Sequence, residues 1–552
     1  MKTAALALAA AAGVCSAAPA YRVFPIYYHG MSLPNGHVAH RDQSMPVLPN
    51  APLPPAGTNY QVRVGRFLRI TEAGEPVYAG ETRGPNGESD FVYLAGRPGD
   101  VRVLASWSGR TLPDRDGRPV EVTRVRAEVS PGGTVAISGQ VGDEGRLWVG
   151  PLSGPFEPLP PIEGLGDPPK LEVFRVTDGG SVLAWASPSP HEALVVADAG
   201  GGHVVYRPGE PGPLGHPFTA FTNSWILDDG SVGFESFLST DYRQSVTYRE
   251  TAAGIEAALG LTFAGEQVFE FGGRASVARD GCLGITGSLR EPEPWAAPVM
   301  TAAWSVPPDG PPILIAREGD PIPGTNRTIR FFFDSNWHGN RQSGVVAMGN
   351  GEGVLLSGGP WLCTLLAYGP DSIRTLLAPG MPVSPDEPHL ISEGVWGAQT
   401  HPSGLVLTYE LHRDPVTNAW SLDYRLFDLR TDSSVLVLRD GDLILSPDGL
   451  FKQVDPLTLD VANEAGGGIA GRISADGRLV LETDWGLAYA EPTNGCAQDV
   501  DGDGVVDVRD LLDFLNRFRL HERYSDWDGD RRTTVHDLLG FLGDFRAGCP
   551  DR

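Results

Sequence analysis

Between about residue 60 and residue 490 the apolar positions come in short runs, each opened by a glycine. The phrase appears as Gly133-Thr134-Val135-Ala136-Ile137, Gly180-Ser181-Val182-Leu183-Ala184 and Gly230-Ser231-Val232-Gly233-Phe234. It continues as Gly281-Cys282-Leu283-Gly284-Ile285, Gly344-Val345-Val346-Ala347, Gly404-Leu405-Val406-Leu407 and Gly477-Arg478-Leu479-Val480. Short apolar runs bounded by turn residues predict strands rather than helices. Asp178, Asp229, Asp280 and Asp476 stand just before four of these glycines. Asp-Gly readily adopts the positive φ of a tight hairpin.

A second phrase keeps phase with the first: Arg207-Pro208-Gly209-Glu210, Arg317-Glu318-Gly319-Asp320, Ala378-Pro379-Gly380-Met381 and Arg439-Asp440-Gly441-Asp442. Gly319, Gly380 and Gly441 are 61 residues apart each time. Two markers in phase, recurring every 47 to 73 residues, with about four strands per unit read as the blades of a β-propeller. Seven units are clear, and Ser89-Asp90-Phe91-Val92-Tyr93-Leu94 marks an eighth. A string of sandwich domains and a solenoid are the alternatives; the first needs about 100 residues per domain. The repeats resemble those of secreted bacterial propeller-like proteins. That resemblance brings no catalytic residues with it. The expected fold class is thus mainly β, a propeller over residues 60–492 followed by a small α-helical domain over 494–552. Residues 21–59, proline-rich from Pro46 to Pro55, predict a leader strand and linker placed to close the ring.

Composition fits this picture. The 70 glycines and 48 prolines favour turns over long helices. A net charge of −26 repels phosphate backbones, so nucleic acid is not an expected partner. The chain opens Met1-Lys2-Thr3, runs apolar from Ala4 to Val14 and reaches Ala18-Pro19-Ala20, the pattern of a secretory signal peptide over residues 1–20. Cys15 leaves lipidation as the alternative, against which stands the bulk of Val14. No later stretch has the roughly 18 apolar residues of a membrane span. A secreted or cell-surface location follows as the expectation, and it permits disulfides among Cys282, Cys363, Cys496 and Cys549.

The end of the chain carries the most specific pattern. Asp499, Asp501 and Asp503 occupy positions 1, 3 and 5 of a twelve-residue loop, with Gly504 at 6, Val505 at 7, Asp507 at 9 and Asp510 at 12. Calcium takes six to eight hard oxygens, and alternate side chains in a tight loop aim carboxylates at one centre. The Val505 carbonyl adds a ligand without a side chain. Twenty-seven residues on, Asp526, Asp528, Asp530, Arg532, Thr534 and Asp537 take positions 1, 3, 5, 7, 9 and 12. Here Arg531 replaces the glycine at position 6, where a left-handed backbone disfavours a side chain. Each loop precedes an amphipathic run, Leu511–Phe518 and Leu538–Phe545, that predicts a helix.

Asp rather than Glu at position 12, the duplication and the position at the end of a secreted chain resemble dockerins. The Gly548-Cys549 ending is similar to a dockerin variant of some environmental bacteria. The resemblance covers about 50 residues. It implies Ca2+ as the bound ion and adjacent chain ends, hence a Cys496–Cys549 disulfide, which would stabilise by about 4 kcal/mol in the chain-entropy model. In cellulosomal dockerins positions 10 and 11 help choose the cohesin. Here these are Val508-Arg509 and Val535-His536. A cohesin-like protein or another cell-surface receptor is the implied partner.

No metalloprotease, serine-hydrolase or P-loop motif occurs in the chain. His37, His40 and Asp42 form a weak metal pattern in the leader. Ser474-Ala475-Asp476-Gly477 is similar to a sialidase Asp-box without its spacing. Glu235, Asp241, Glu291 and Asp334 are carboxylates from which a glycosidase pair could be drawn. The twelve tryptophans suit either blade packing or sugar stacking. Cys282 and Cys363 are either a cross-blade disulfide or buried thiols. Without a catalytic constellation, the leading expectation is a non-catalytic propeller binding a glycan or protein, displayed by the calcium module. The alternative is an extracellular polysaccharide hydrolase or lyase carrying a dockerin.

Overall fold

The computed structural model describes residues 21–28, 31–36, 38–39, 68–86, 89–98, 100–165, 170–187, 193–219, 221–237, 245–260, 262–264, 266–270, 275–289, 301–330, 344–358, 363–384, 387–445, 451–453, 471–483, 486–493, 498, 500, 506–519, 525, 527 and 533–547. The protein is mainly β. Most of its described strands fall into eight successive groups, over residues 68–106, 110–158, 162–206, 221–257, 276–317, 344–377, 387–439 and 479–492, paired antiparallel except where Ile162–Glu163 runs parallel to Gly201–Tyr206. The group at 68–106 contains Ser89–Ala95, so the segment marked as an eighth unit is a strand in a sheet of its own.

The glycine phrases become one recurring turn. At Thr71–Glu75, Ser130–Thr134, Thr177–Ser181, Leu227–Ser231, Ala278–Cys282, His401–Leu405 and Ser474–Arg478 the first N–H donates to the last carbonyl, and the fourth residue, glycine, donates to the first carbonyl. That glycine holds φ of 73° to 91° in every case. Such a type I turn ending in a left-handed residue joins strands over three-residue loops. The hydroxyls of Thr71, Ser130, Thr177 and Ser474 also accept the N–H four residues on. Gly344 departs from the expected phase. Gly344–Gly349 is the first strand of its group, and the equivalent turn is Asn350-Gly351, with φ of 53° and 76°. The second phrase also becomes a repeated turn. Arg207, Arg317 and Arg439 donate their N–H to Glu210, Asp320 and Asp442 at 3.0, 2.7 and 2.7 Å.

The groups are not separate four-stranded blades as expected. The fourth and fifth merge into one nine-stranded sheet through the short strand Phe269–Glu270. The sixth and seventh merge into another, among the described residues through the pair Cys363↔Val395. The leader supplies strand β1 (Tyr21–Tyr28), which pairs antiparallel with Gly486–Pro492 from Tyr21↔Pro492 to Tyr28↔Gly486. Eight apolar cores follow the same order, each between two consecutive groups, and the last joins the eighth group to the first. Trp148 and Trp304 are wholly buried in two of them.

Within the seventh group the strands are β2 (Glu387–Thr400), β3 (Leu405–Arg413), β4 (Trp420–Asp428) and β5 (Ser433–Arg439). The two helices among the described residues close the chain: α1 (Val508–Arg519) and α2 (Val535–Ala547). Both start three residues earlier than the apolar period predicts, because residues in the preceding loop cap them.

Candidate functional site

The described halves of the two C-terminal loops have the same local bonding. In the first, the Asp507 N–H donates to Asp510 Oδ2 at 2.8 Å and the Arg509 N–H donates to Asp507 Oδ1 at 2.7 Å. In the second, the Thr534 N–H donates to Asp537 Oδ2 at 2.6 Å and the His536 N–H donates to Thr534 Oγ1 at 3.2 Å. This is a reciprocal capping box, with loop position 9 as N-cap and position 12 returning to it. Asp510 and Asp537 are both fully buried. Ionised carboxylates at such positions need compensating charge or hydrogen bonds, and the helix N-termini supply part of it.

Behind the loops the repeat continues. Val500 and Trp527, each at loop position 2, are buried with Phe514 and Phe541 in one small core. Trp527 meets both rings edge-on, at 5.7 and 5.0 Å, and its Nε1 donates to Asp544 at 2.8 Å. On the outside, Val508, Leu512 and Leu515 of α1 are 38 to 63% exposed, and Val535, Leu539 and Leu542 of α2 are 38 to 61% exposed. Arg509 and His536 are exposed beside them. The expected ligands Asp499, Asp501, Asp503, Val505, Asp526, Asp528, Asp530 and Arg532 lie outside the described residues, as do Cys496 and Cys549. Among the described residues no three metal-binding side chains converge.

A second cluster joins the recurring turns. Arg279 reaches Glu72 at 3.2 Å, Asp178 at 2.6 Å and Asp228 at 3.4 Å, so turns far apart in sequence meet at one guanidinium. Glu72 also pairs with His401 Nε2 at 3.3 Å and accepts the Ala475 N–H at 3.1 Å. The His401 hydrogen bond outweighs the effect of burial, and with Ala475 and Arg279 it holds the Glu72 carboxyl below its ordinary range. Asp178 accepts the Gly132 N–H at 2.6 Å. With partners on each acid, the cluster works as a clasp between turns. Sequence reasoning missed it because Arg279 precedes its turn phrase and its partners lie 51 to 207 residues away.

The remaining candidates separate. Glu235 is buried and accepts hydrogen bonds from Asn223 Nδ2 at 3.0 Å and the Ala275 N–H at 2.8 Å, a structural role. Asp241, Glu291 and Asp334, and His37, His40 and Asp42, lie outside the described residues. Ser474 and Asp476 bond within their own turn. Cys282 and Cys363 are buried thiols rather than a disulfide, and Cys282 Sγ lies 3.5 Å from Ser305 Oγ. Burial pushes both thiols up, Cys363 to about 12.

No family model matches this chain. No curated protein matches it in sequence. Among solved structures it is similar to a puromycin-hydrolyzing peptidase of Mycobacterium tuberculosis, at 12% identity and a TM-score of 0.37, over 68% of this chain and 53% of that one. It is similar to prolyl oligopeptidase B of Galerina marginata at 11% identity and a TM-score of 0.37, over 79% and 56%. The β-propeller domain of the trilobed protease of Pyrococcus furiosus aligns at 11% identity and a TM-score of 0.32, over 65% and 92%. The chain spans about half the length of the two peptidases. These neighbours overturn the functional expectation. They are peptidases and a protease domain, with neither a non-catalytic binder nor a polysaccharide enzyme among them, so both readings and the leaning against catalysis are withdrawn. Likeness at this level transfers no activity to this chain.

Proposed function

We propose that residues 494–552 are a dockerin-like module that binds two Ca2+ ions and docks the protein to a cohesin-like or other cell-surface receptor. We propose further that the eight strand groups are the blades of a β-propeller. The propeller reading is supported by the closed succession of eight cores and by β1, which pairs the start of the strand region with its end.

The calcium reading rests on one observation: two loops 27 residues apart bury an aspartate at position 12 and fix it with the same capping bonds. Asp507 and Asp510, or Thr534 and Asp537, would complete ligand sets begun by the alternating aspartates of each loop. Calcium when bound would supply the positive charge that the acidic loops lack. The exposed pairs Val508 and Val535, Leu512 and Leu539, and Leu515 and Leu542 support a receptor contact on the helix faces beside Arg509 and His536. Export, as the first 20 residues suggest, would expose the module to calcium in the range of about 10⁻⁴–10⁻³ M where extracellular sites bind.

Calorimetric titration of the full chain with calcium chloride tests the reading. Two binding events are expected, with Asp510→Asn removing one and Asp537→Asn the other. Absence of heat at millimolar calcium would overturn it.

A further inference from the structure

One set of ionisable side chains is enclosed between the sixth and seventh groups. The register Val395↔Glu410↔Asp423↔Arg439 sets three of them in one cross-strand row of the sheet β2–β5. Thr408 and Arg425 form the next row. Glu410 is fully buried, Asp423 is 1% exposed, and His412 and Arg425 are 2% exposed. Arg439 clasps Asp423 through two bonds of 2.9 and 2.7 Å and Glu387 through two of 2.9 and 3.1 Å. Arg425 Nη2 reaches Glu387 at 2.8 Å.

Glu410 is served differently. Thr408 donates to its Oε1 at 2.7 Å, whereas its Oε2 faces Arg425 Nε at 3.5 Å without a hydrogen bond. Among the described residues three carboxylates therefore share two guanidiniums, which remain charged at any ordinary pH. Burial pulls the His412 pKa down and outweighs Asp423, 3.4 Å from its Nδ1, so the enclosure favours the neutral imidazole. Fully ionised, these five described side chains carry one excess negative charge; with one proton they are neutral. Asp423 and Glu387 hold the guanidinium forks, which leaves Glu410 to carry that proton.

We propose that Glu410 is a proton-operated switch at the joint between the sixth and seventh groups: the joint is tight with Glu410 protonated, and ionisation loosens it by enclosing an uncompensated charge. The joint is slender. Its strand-to-strand link among the described residues is the pair Cys363↔Val395, and Val395 pairs directly with Glu410. Among the described residues the charged groups that meet Glu410 or its partners are Glu387 from β2, His412 from β3, Asp423 and Arg425 from β4, and Arg439 from β5. On the sixth group Cys363 pairs with Val395, one strand away from Glu410, and burial keeps its thiol neutral. Arg413, further along β3, is paired with Glu393 at 2.8 Å. Burial, only partly offset by Arg425, pushes the Glu410 carboxyl up to about 7. The switch therefore works in the neutral range.

The sign follows from linkage. The unfolded chain ionises Glu410 near its ordinary pKa, so the stabilising proton is bound fully below that value. Its contribution is lost as pH rises through the folded value, by up to about tenfold in the folding constant per pH unit. The test uses the full chain and Glu410→Gln, an uncharged shape-mimic of the protonated acid. The wild-type urea midpoint should fall between about pH 5 and about pH 7, more steeply than that of the variant. Protection factors of the Leu405–Arg413 amides, corrected for the intrinsic pH dependence of exchange, should fall at the upper pH in the wild type and stay level in the variant. Infrared spectra supply a second readout that needs no variant. A protonated carboxyl band should persist in the wild type at about pH 6, above the ordinary Glu range, and vanish by about pH 8. Parallel midpoint profiles, or no such band, would overturn the proposal.

Discussion

Phe514 and Phe541 lie face to face across the C-terminal module, their ring centroids 3.8 Å apart and their planes 3° from parallel. They occupy the same position of the two repeats, four residues after Asp510 and Asp537. Phe518 and Phe545 flank them at 6.1 and 5.6 Å. The core they centre has four buried members, so each carries a large share of it. Phe514→Ala should cost roughly 3–5 kcal/mol, comparable to what a core of this size supplies. Amide exchange over residues 506–547 should then approach the unprotected rate while the strand groups keep their protection. Protection retained in both helices would show that the stack is dispensable.

The second calcium loop differs from the first at position 9, where Thr534 stands for Asp507, and at position 6, where Arg531 stands for glycine. If that residue must be left-handed, a side chain there costs about 1–2 kcal/mol. Arg531→Gly should therefore tighten the weaker calcium event by roughly tenfold or more and leave the stronger one unchanged. The calorimetric titration of the full chain reads both at once. Equal affinities in the wild type would remove the premise.

Much of this organisation is legible in the sequence, and what is not has physical reasons. The turns are visible because glycine at positive φ is local chemistry: Gly133, Gly180, Gly230, Gly281, Gly404 and Gly477 all close the same loop. Gly344 misled because a glycine before apolar residues also describes a first strand; Asn350-Gly351 makes the turn without an acid. The merging of groups at Cys363↔Val395 depends on contacts distant in sequence. The helix starts at Val508 and Val535 follow from capping by Asp507 and Thr534, which an apolar period does not register. The enclosed ion network is the hardest case. Thr408, Glu410 and His412, like Asp423 and Arg425, alternate with apolar residues, and such alternation ordinarily marks a solvent face. Here that face is packed against a neighbour, and only the register brings its charges together.

Gly230 offers a test of the turn chemistry free of packing. Its φ is 87°, and a β-carbon added there would meet nothing within 4 Å. Gly230→Ala should thus cost about 1–2 kcal/mol, from backbone strain alone. Urea denaturation should show a lower midpoint with an unchanged slope. A neutral result would mean that the turn relaxes to another type, which loss of protection at the Gly230 and Ser231 amides would reveal.

Glu387 and Glu410 belong to one network but should respond to pH in opposite directions. Burial alone would raise the Glu387 carboxyl. The hydrogen bonds and charges of Arg439 and Arg425 outweigh it and hold the group far below the ordinary range. Its stabilisation is present above the unfolded pKa and is lost as pH falls toward the folded one. Glu387→Gln leaves two largely buried guanidiniums short of a partner, at a cost of roughly 3–5 kcal/mol near neutral pH. The gap between wild type and variant should narrow as pH drops below about 4, where the unfolded chain gains its proton. Glu410 acts from the other side, losing its contribution as pH rises toward 7. Together they predict a stability maximum between those limits. Glu387→Gln should shift that maximum toward acid and Glu410→Gln toward base. A single series of urea midpoints across pH, on the wild type and the two variants, measures both shifts, and a maximum that neither variant moves would show that other groups set it.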